Sequence, residues 1–196
     1  SEGYLYLKQT AGTISAPTPI NSTAAQQSVP NNIKKETKPT TVNNAIFISY
    51  RRQDSPNTTG RIYDQLVQKF GRESVFKDVD SVPLGVDFRK HLDESVGKCK
   101  VLLAVIGDNW HDERKNDGNS RFLDPRDFVR IEIESALTRN IPVIPLLVRG
   151  ANMPNEKDLP NSMNELSFRN GIPIRPDPDF HNDIERLIDG LEEILK

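Results

Sequence analysis

Three stretches of the chain hold residue types that could do chemistry. Ser49-Tyr50-Arg51-Arg52 ends an apolar run. Asp78 and Asp80 open a loop that continues through Pro83 and Gly85. Glu132 lies within Asp127-Phe128-Val129-Arg130-Ile131-Glu132-Ile133-Glu134-Ser135-Ala136-Leu137. Adjacent arginines are either solvated surface charge or a clamp for an anion, since the guanidinium fork donates paired hydrogen bonds to phosphate or carboxylate oxygens. On a helix turning about 100° per residue, Val129, Ile133, Ala136 and Leu137 form a buried stripe, and Glu132 borders it beside Phe128. Arg130 and Glu134 fall to the other side, four residues apart, as a solvated pair. A carboxylate at the edge of an apolar stripe is either a structural group or one that steadies positive charge, and the wheel alone leaves both open. Tyr50, Phe88 and Phe128 each offer a face on which a flat ring could stack.

These residues need elements to hold them. The run 45–50 is apolar, β-branched and aromatic, too short for a helix, and reads as a buried strand. A helix is expected over 58–70, with Ile62, Leu66 and Phe70 on one face and Asn57 or Thr58 as its cap. A short strand follows at 74–77, then a helix from Asp87 with Phe88, Leu92 and Val96 aligned. The rest reads as a strand at 101–106, a helix at 127–139, a strand at 142–148 and a closing helix at 183–195. Strands apolar on both faces that alternate with helices predict a parallel sheet covered on both sides. The fold class is therefore doubly wound, flavodoxin-like α/β, with five strands ordered 2-1-3-4-5 and a ligand crevice beyond the carboxyl ends of strands one and three. Pro142 and Pro145 suggest an edge-side position or a bend for the fourth strand.

Residues 1–43 are rich in Thr, Ser, Pro, Asn and Gln without apolar periodicity, so they are expected to form a flexible linker or tail, or the end of an upstream domain, with the folded domain spanning 44–196. Composition narrows the function. A net charge of −2 gives no general nucleic-acid surface, a single cysteine excludes an internal disulfide and fits a reducing cytoplasm, and no apolar run nears the roughly 20 residues that span a bilayer. His91, His111 and His181 are scattered as surface or cap residues without ligand spacing, so no metal site is expected. No G-x-G-x-x-G follows a strand, which removes the dinucleotide fold that holds NAD as a hydride carrier. The first strand ends in Ser-Tyr-Arg-Arg rather than the clustered acidic residues of a phosphorelay receiver.

Taken together, Phe47-Ile48-Ser49-Tyr50-Arg51-Arg52, Val75-Phe76-Lys77-Asp78-Val79-Asp80 with its following Pro-x-Gly-x-x-Phe, and the segment from Asp127 to Leu137 resemble the three signature blocks of Toll/interleukin receptor (TIR) domains, in order. The resemblance is to bacterial TIR proteins and to NAD-consuming TIR domains, although the animal NAD-consuming relatives carry Trp where this chain has Phe128. It implies an NAD+ glycohydrolase or cyclase that takes NAD+ as substrate and needs no cofactor, acting as an antiphage effector behind an upstream sensor. Glu132 would be catalytic. Arg51 and Arg52 would contact the nucleotide, with Ser49, Tyr50, Asp78, Phe88 and Phe128 completing the substrate site. The loop of Asp80, Pro83 and Gly85 would serve self-association with other TIR domains and act as a gate. The alternative is a non-catalytic TIR–TIR interaction module using that same loop. Neither reading assigns the domain a nucleic-acid or membrane partner.

Overall fold

Val101–Ile106 is apolar at every position and buried at every position, a pattern allowed only to the middle of a sheet covered on both faces. The computed structural model describes residues 45–77, 85, 87–110 and 121–196, all within the unit Lys38–Lys196. The expected tail over 1–43 and loop residues Asp78, Asp80 and Pro83 lie outside the described residues. The elements are β1 (Ile46–Ser49), α1 (Pro56–Phe70), β2 (Val75–Lys77), α2 (Phe88–Val96), β3 (Val101–Ile106), α3 (Phe128–Thr138), β4 (Val143–Val148), β5 (Ile172–Ile174) and α4 (Phe180–Leu195).

The sheet is parallel in the order β2-β1-β3-β4-β5, as the alternation of elements predicts. Side chains alternate across it. Ile46, Ile48, Val101, Leu103 and Val105 meet Ile62 and Leu66 of α1 and Ile184, Leu187 and Leu191 of α4. Phe47, Leu102, Ala104 and Ile106 meet Val96 of α2 and Val129, Ile133 and Ala136 of α3. Each fully buried aliphatic or aromatic side chain contributes about 1.5–3 kcal/mol, so the two layers, not local propensity, hold the helices in place. Cys99 belongs to the second layer, and burial pushes its thiol up to about 11, so it is neutral at pH 7 and a poor nucleophile.

Two expectations, the starts of the first and last helices, need correction. The first helix starts at Pro56 behind Ser55, not behind Asn57 or Thr58; proline at the first helical position has the right φ and lacks an N–H that would go unused there. The last helix starts at Phe180, three residues early, because Phe180 is buried in the core beneath Arg61, whose guanidinium carbon is 3.8 Å from the ring centroid. β4 lies between β3 and β5, one strand in from the edge, as the expected strand order has it. The sheet tolerates Pro145 because Pro142 O accepts from Leu102 N on the β3 side. By parallel alternation the missing N–H of Pro145 then faces β5, one residue before that ladder begins at Leu146↔Ile172. Finally, β5 itself is the three-residue Ile-Pro-Ile, and the crossover leading to it uses short 3-10 turns at Glu156–Asp158 and Asn161–Phe168 in place of a full helix.

Candidate functional site

The strand order reverses direction between β1 and β3, and the chain leaving β1 turns there at once: the N–H groups of Asp54 and Ser55 both donate to Arg51 O at 3.1 Å. That tight turn sends consecutive arginines different ways. Arg51 goes inward and is 4% exposed. Its Nε donates to Trp110 O at 2.9 Å, its two terminal nitrogens donate to Asp127 Oδ2 and Oδ1 at 2.8 and 3.2 Å, and its guanidinium carbon lies 4.6 Å from the Phe122 ring centroid. Arg52 goes outward and is exposed.

The same turn is fastened to the end of β3 a second time. Asp54 is buried, and its Oδ1 accepts from Asn109 N at 3.1 Å. A Cβ on Gly107 would come within 2.1 Å of Asp54 Oδ2, so the close approach of carboxylate to backbone requires glycine. Burial raises the Asp54 carboxyl above its ordinary range, against the lowering effect of the backbone N–H groups of Asn109 and Gly107. Arg149, at the end of β4 with φ 58, donates to Asp54 O at 3.2 Å and pairs with Asp108 at 3.3 Å.

A pocket of about 320 Å3 opens at this end of the sheet, between the turn after β1 and the start of α3. It is lined by Tyr50, Arg51, Arg52 and Gln53 on one side, by Arg121, Asp124 and Arg126 on another, and by Asp127, Phe128 and Val129 at the head of α3. Four arginines against two aspartates leave an excess of two positive charges among the lining residues, which suits an anion such as a diphosphate. Phe128, 40% exposed, lines the pocket and meets Phe88 edge-on with centroids 4.9 Å apart. The α3 helix starts where it does because Asp127 Oδ1 accepts from Arg130 N at 2.9 Å as the N-cap.

Glu132 follows Phe128 by four residues, one turn deeper along α3 and about 6 Å along its axis. It is 1% exposed. Phe128, Glu132, Ser135 and Arg139 share one helix face, and that face meets α2: Phe128 contacts Phe88, while Asp93 accepts from Ser135 Oγ at 2.7 Å and pairs with Arg139 at 2.7 Å. The carboxylate thus sits on the seam between two helices, beneath the aromatic pair.

Of the residues the sequence singles out, the structure brings Tyr50, Arg51, Arg52 and Phe128 together at the pocket; Phe88 and Glu132 are not among its lining residues, Phe88 meeting Phe128 edge-on and Glu132 lying one turn further along α3. Ser49, the last residue of β1, is wholly buried and is not among the lining residues. Gly85 is exposed with φ 81, a conformation that favours glycine. Arg130 and Glu134 are not a solvated pair: both are half-buried, joined at 2.7 Å, with Arg130 also donating to Phe122 O and Glu134 accepting from Ser162. Trp110 is fully buried against Phe122. Sequence reasoning missed Gln53, which leaves no signal, and Arg121, Asp124 and Arg126, whose one signal is their charge density just ahead of the α3 cap.

The family model for the TIR domain matches residues 46–188. A curated relative, the NAD(+) hydrolase sarm1 of Drosophila melanogaster, is 27% identical over 151 residues, which is 77% of this chain and 10% of that protein. The chain thus spans about a tenth of the relative's length. Among solved structures, the TIR domains in the structure of the activated Roq1 resistosome directly recognizing the pathogen effector XopQ superpose with a TM-score of 0.55 at 13% identity. That match covers 75% of this chain and 98% of the other.

Proposed function

Because the chain belongs to the TIR domain family, whose relative here is named an NAD(+) hydrolase, we propose that it cleaves NAD+ at the bond between nicotinamide and ribose. The observation that carries this reading is the arginine-rimmed pocket with Phe128 in its wall and Glu132 one turn below. The diphosphate lies among Arg52, Arg121 and Arg126, and a ring stacks on Phe128. Glu132 meets the ribose hydroxyls and steadies the positive charge that builds at the anomeric carbon. The anomeric carbon to nitrogen bond breaks with its electron pair going to the pyridinium nitrogen, so nicotinamide leaves neutral and needs no general acid. This differs from sugar alkoxides, whose departure calls for a second carboxyl group. Water then adds to the cationic carbon and loses a proton, giving ADP-ribose; attack by the substrate's own adenine gives a cyclic isomer instead. NAD+ is the substrate, and the chemistry requires no resident cofactor or metal.

In the fuller version of this reading the domain is a bacterial antiphage effector in the cytoplasm, switched on when an upstream sensor clusters it with other TIR domains through the loop ending at Gly85. No helix among the described residues is long and apolar enough to cross a membrane.

The pocket is tested by Arg52→Glu. Reversing the charge of an exposed rim arginine weakens the grip on the diphosphate in ground and transition states alike, so KM for NAD+ should rise about tenfold or more with kcat changed little. Initial rates of nicotinamide release across an NAD+ series read this directly. An unchanged KM would place the substrate elsewhere.

A further inference from the structure

We propose that Arg51 and Asp127 act as a positioning pair that sets where Glu132 stands beneath the pocket, leaving the ligand-facing arginine role to Arg52. The inference rests on the NAD+ cleavage reading above and assigns the two adjacent arginines different jobs. All three nitrogens of the Arg51 guanidinium are committed, one to Trp110 O on the loop after β3 and two to the Asp127 carboxylate, and the side chain is nearly sealed from solvent. Three of its five N–H donors are thereby engaged, and a diphosphate arriving in the pocket finds the group nearly sealed. Arg52, the next residue, is exposed and lines the pocket.

Asp127 carries two duties at once. Its carboxylate holds Arg51 through both oxygens, and Oδ1 also caps α3 by accepting from Arg130 N. The end of β1, the loop after β3 and the first turn of α3 are thereby joined at one point. An α-helix that slips by one residue turns about 100° and moves about 1.5 Å, which would carry Glu132 off its face of the seam. The clamp restrains both motions at the head of α3, as the Asp93–Arg139 pair ties its far end to α2. A buried ion pair is weak as a source of net stability once its desolvation is counted, so stapling the fold is a poor reason for this one. Fixing a single arrangement of α3 is a better one.

The test uses the full chain with Asp127→Asn and Arg51→Lys. Asparagine caps helices as well as aspartate does, so Asp127→Asn keeps the cap while turning the paired acceptors for Arg51 into one acceptor and one donor. At a temperature where circular dichroism shows the variants folded, kcat for nicotinamide release should fall by on the order of tenfold to a hundredfold, the loss expected of a misplaced catalytic group. KM should change by less than about threefold. Arg51→Lys, which keeps the charge but loses the fork, should fall between Asp127→Asn and wild type. Amide hydrogen exchange at 131–134 should speed up by about tenfold in Asp127→Asn while β3 keeps its protection. A rise in KM with kcat retained would make Arg51 a ligand contact and overturn the proposal. So would a lowered melting temperature with both kinetic constants unchanged, which is the mark of a plain staple. If the wild type releases no nicotinamide, the cleavage reading fails by itself, and the exchange data still decide: unchanged exchange in α3 refutes the clamp, and faster exchange confined to α3 supports it.

Discussion

Glu132→Gln is expected to lower NAD+ cleavage by on the order of a hundredfold to a thousandfold, the loss of about 3–4 kcal/mol of transition-state stabilisation, while the protein stays folded. Glutamine keeps the volume that fills the α2–α3 seam but carries no charge to oppose an oxocarbenium-like centre. Desolvating a carboxylate at 1% exposure is costly, so a neutral replacement should leave the melting temperature unchanged or slightly higher. A purely structural glutamate gives the opposite pattern, with lowered melting and intact turnover. Glu134→Gln is the comparison, and the structure changes what to expect of it. Glu134 is half-buried and joined to Arg130 and Ser162, so its replacement should cost about 1 kcal/mol of stability but spare the chemistry. Nicotinamide release and thermal melts on both variants separate the readings.

The largest effect on stability is expected at Asp183. This carboxylate in the first turn of α4 is 2% exposed and accepts from Arg175 three times, from the backbone N–H at 2.9 Å, Nε at 2.9 Å and a terminal nitrogen at 2.8 Å. It ties α4 to the residue just past β5. Asp183→Ala leaves those donors to find other partners; because Arg175 is half exposed, the cost should be about 2–3 kcal/mol, below that of a wholly buried pair, or roughly 5–10 °C in melting temperature. The pH dependence has a definite sign. The hydrogen bonds from Arg175 hold the Asp183 carboxyl below its ordinary range. Its stabilisation is therefore complete above the unfolded value of about 3.9 and is lost as pH falls through the lower folded value. Wild type should lose stability relative to Asp183→Ala as the pH drops from 5 toward 2, so that the two melting curves converge in acid. A gap that persists unchanged to pH 2 would assign the effect to packing.

Much of the fold was legible because its signals are periodic. β3 could be read to the residue, being apolar throughout and bounded by Lys100 and Gly107, and α2 and α3 announce themselves by apolar stripes behind Asp87 and Asp127. β5 left no such trace, since three residues with a central proline have no period to detect and become a strand only by pairing with β4. The site was legible in part. The wheel placed Glu132 at the border of a buried stripe, but its depth comes from α2 lying across that border, and nothing in the α3 sequence says which element covers it. The split between Arg51 and Arg52 is decided by a turn, and the decisive partner of Arg51 is 76 residues away. The charged wall at 121–126 has no periodicity either, and it faces the pocket because the chain there leads into the Asp127 cap.

Whether this pocket cleaves NAD+ is tested most directly by chromatography of NAD+ incubated with the concentrated wild-type chain. Nicotinamide should appear together with an equal amount of ADP-ribose or its cyclic isomer, accumulating with time and at a rate per molecule that climbs with protein concentration. NAD+ recovered intact across the whole concentration series, with the protein shown to be folded throughout, would contradict cleavage by this pocket.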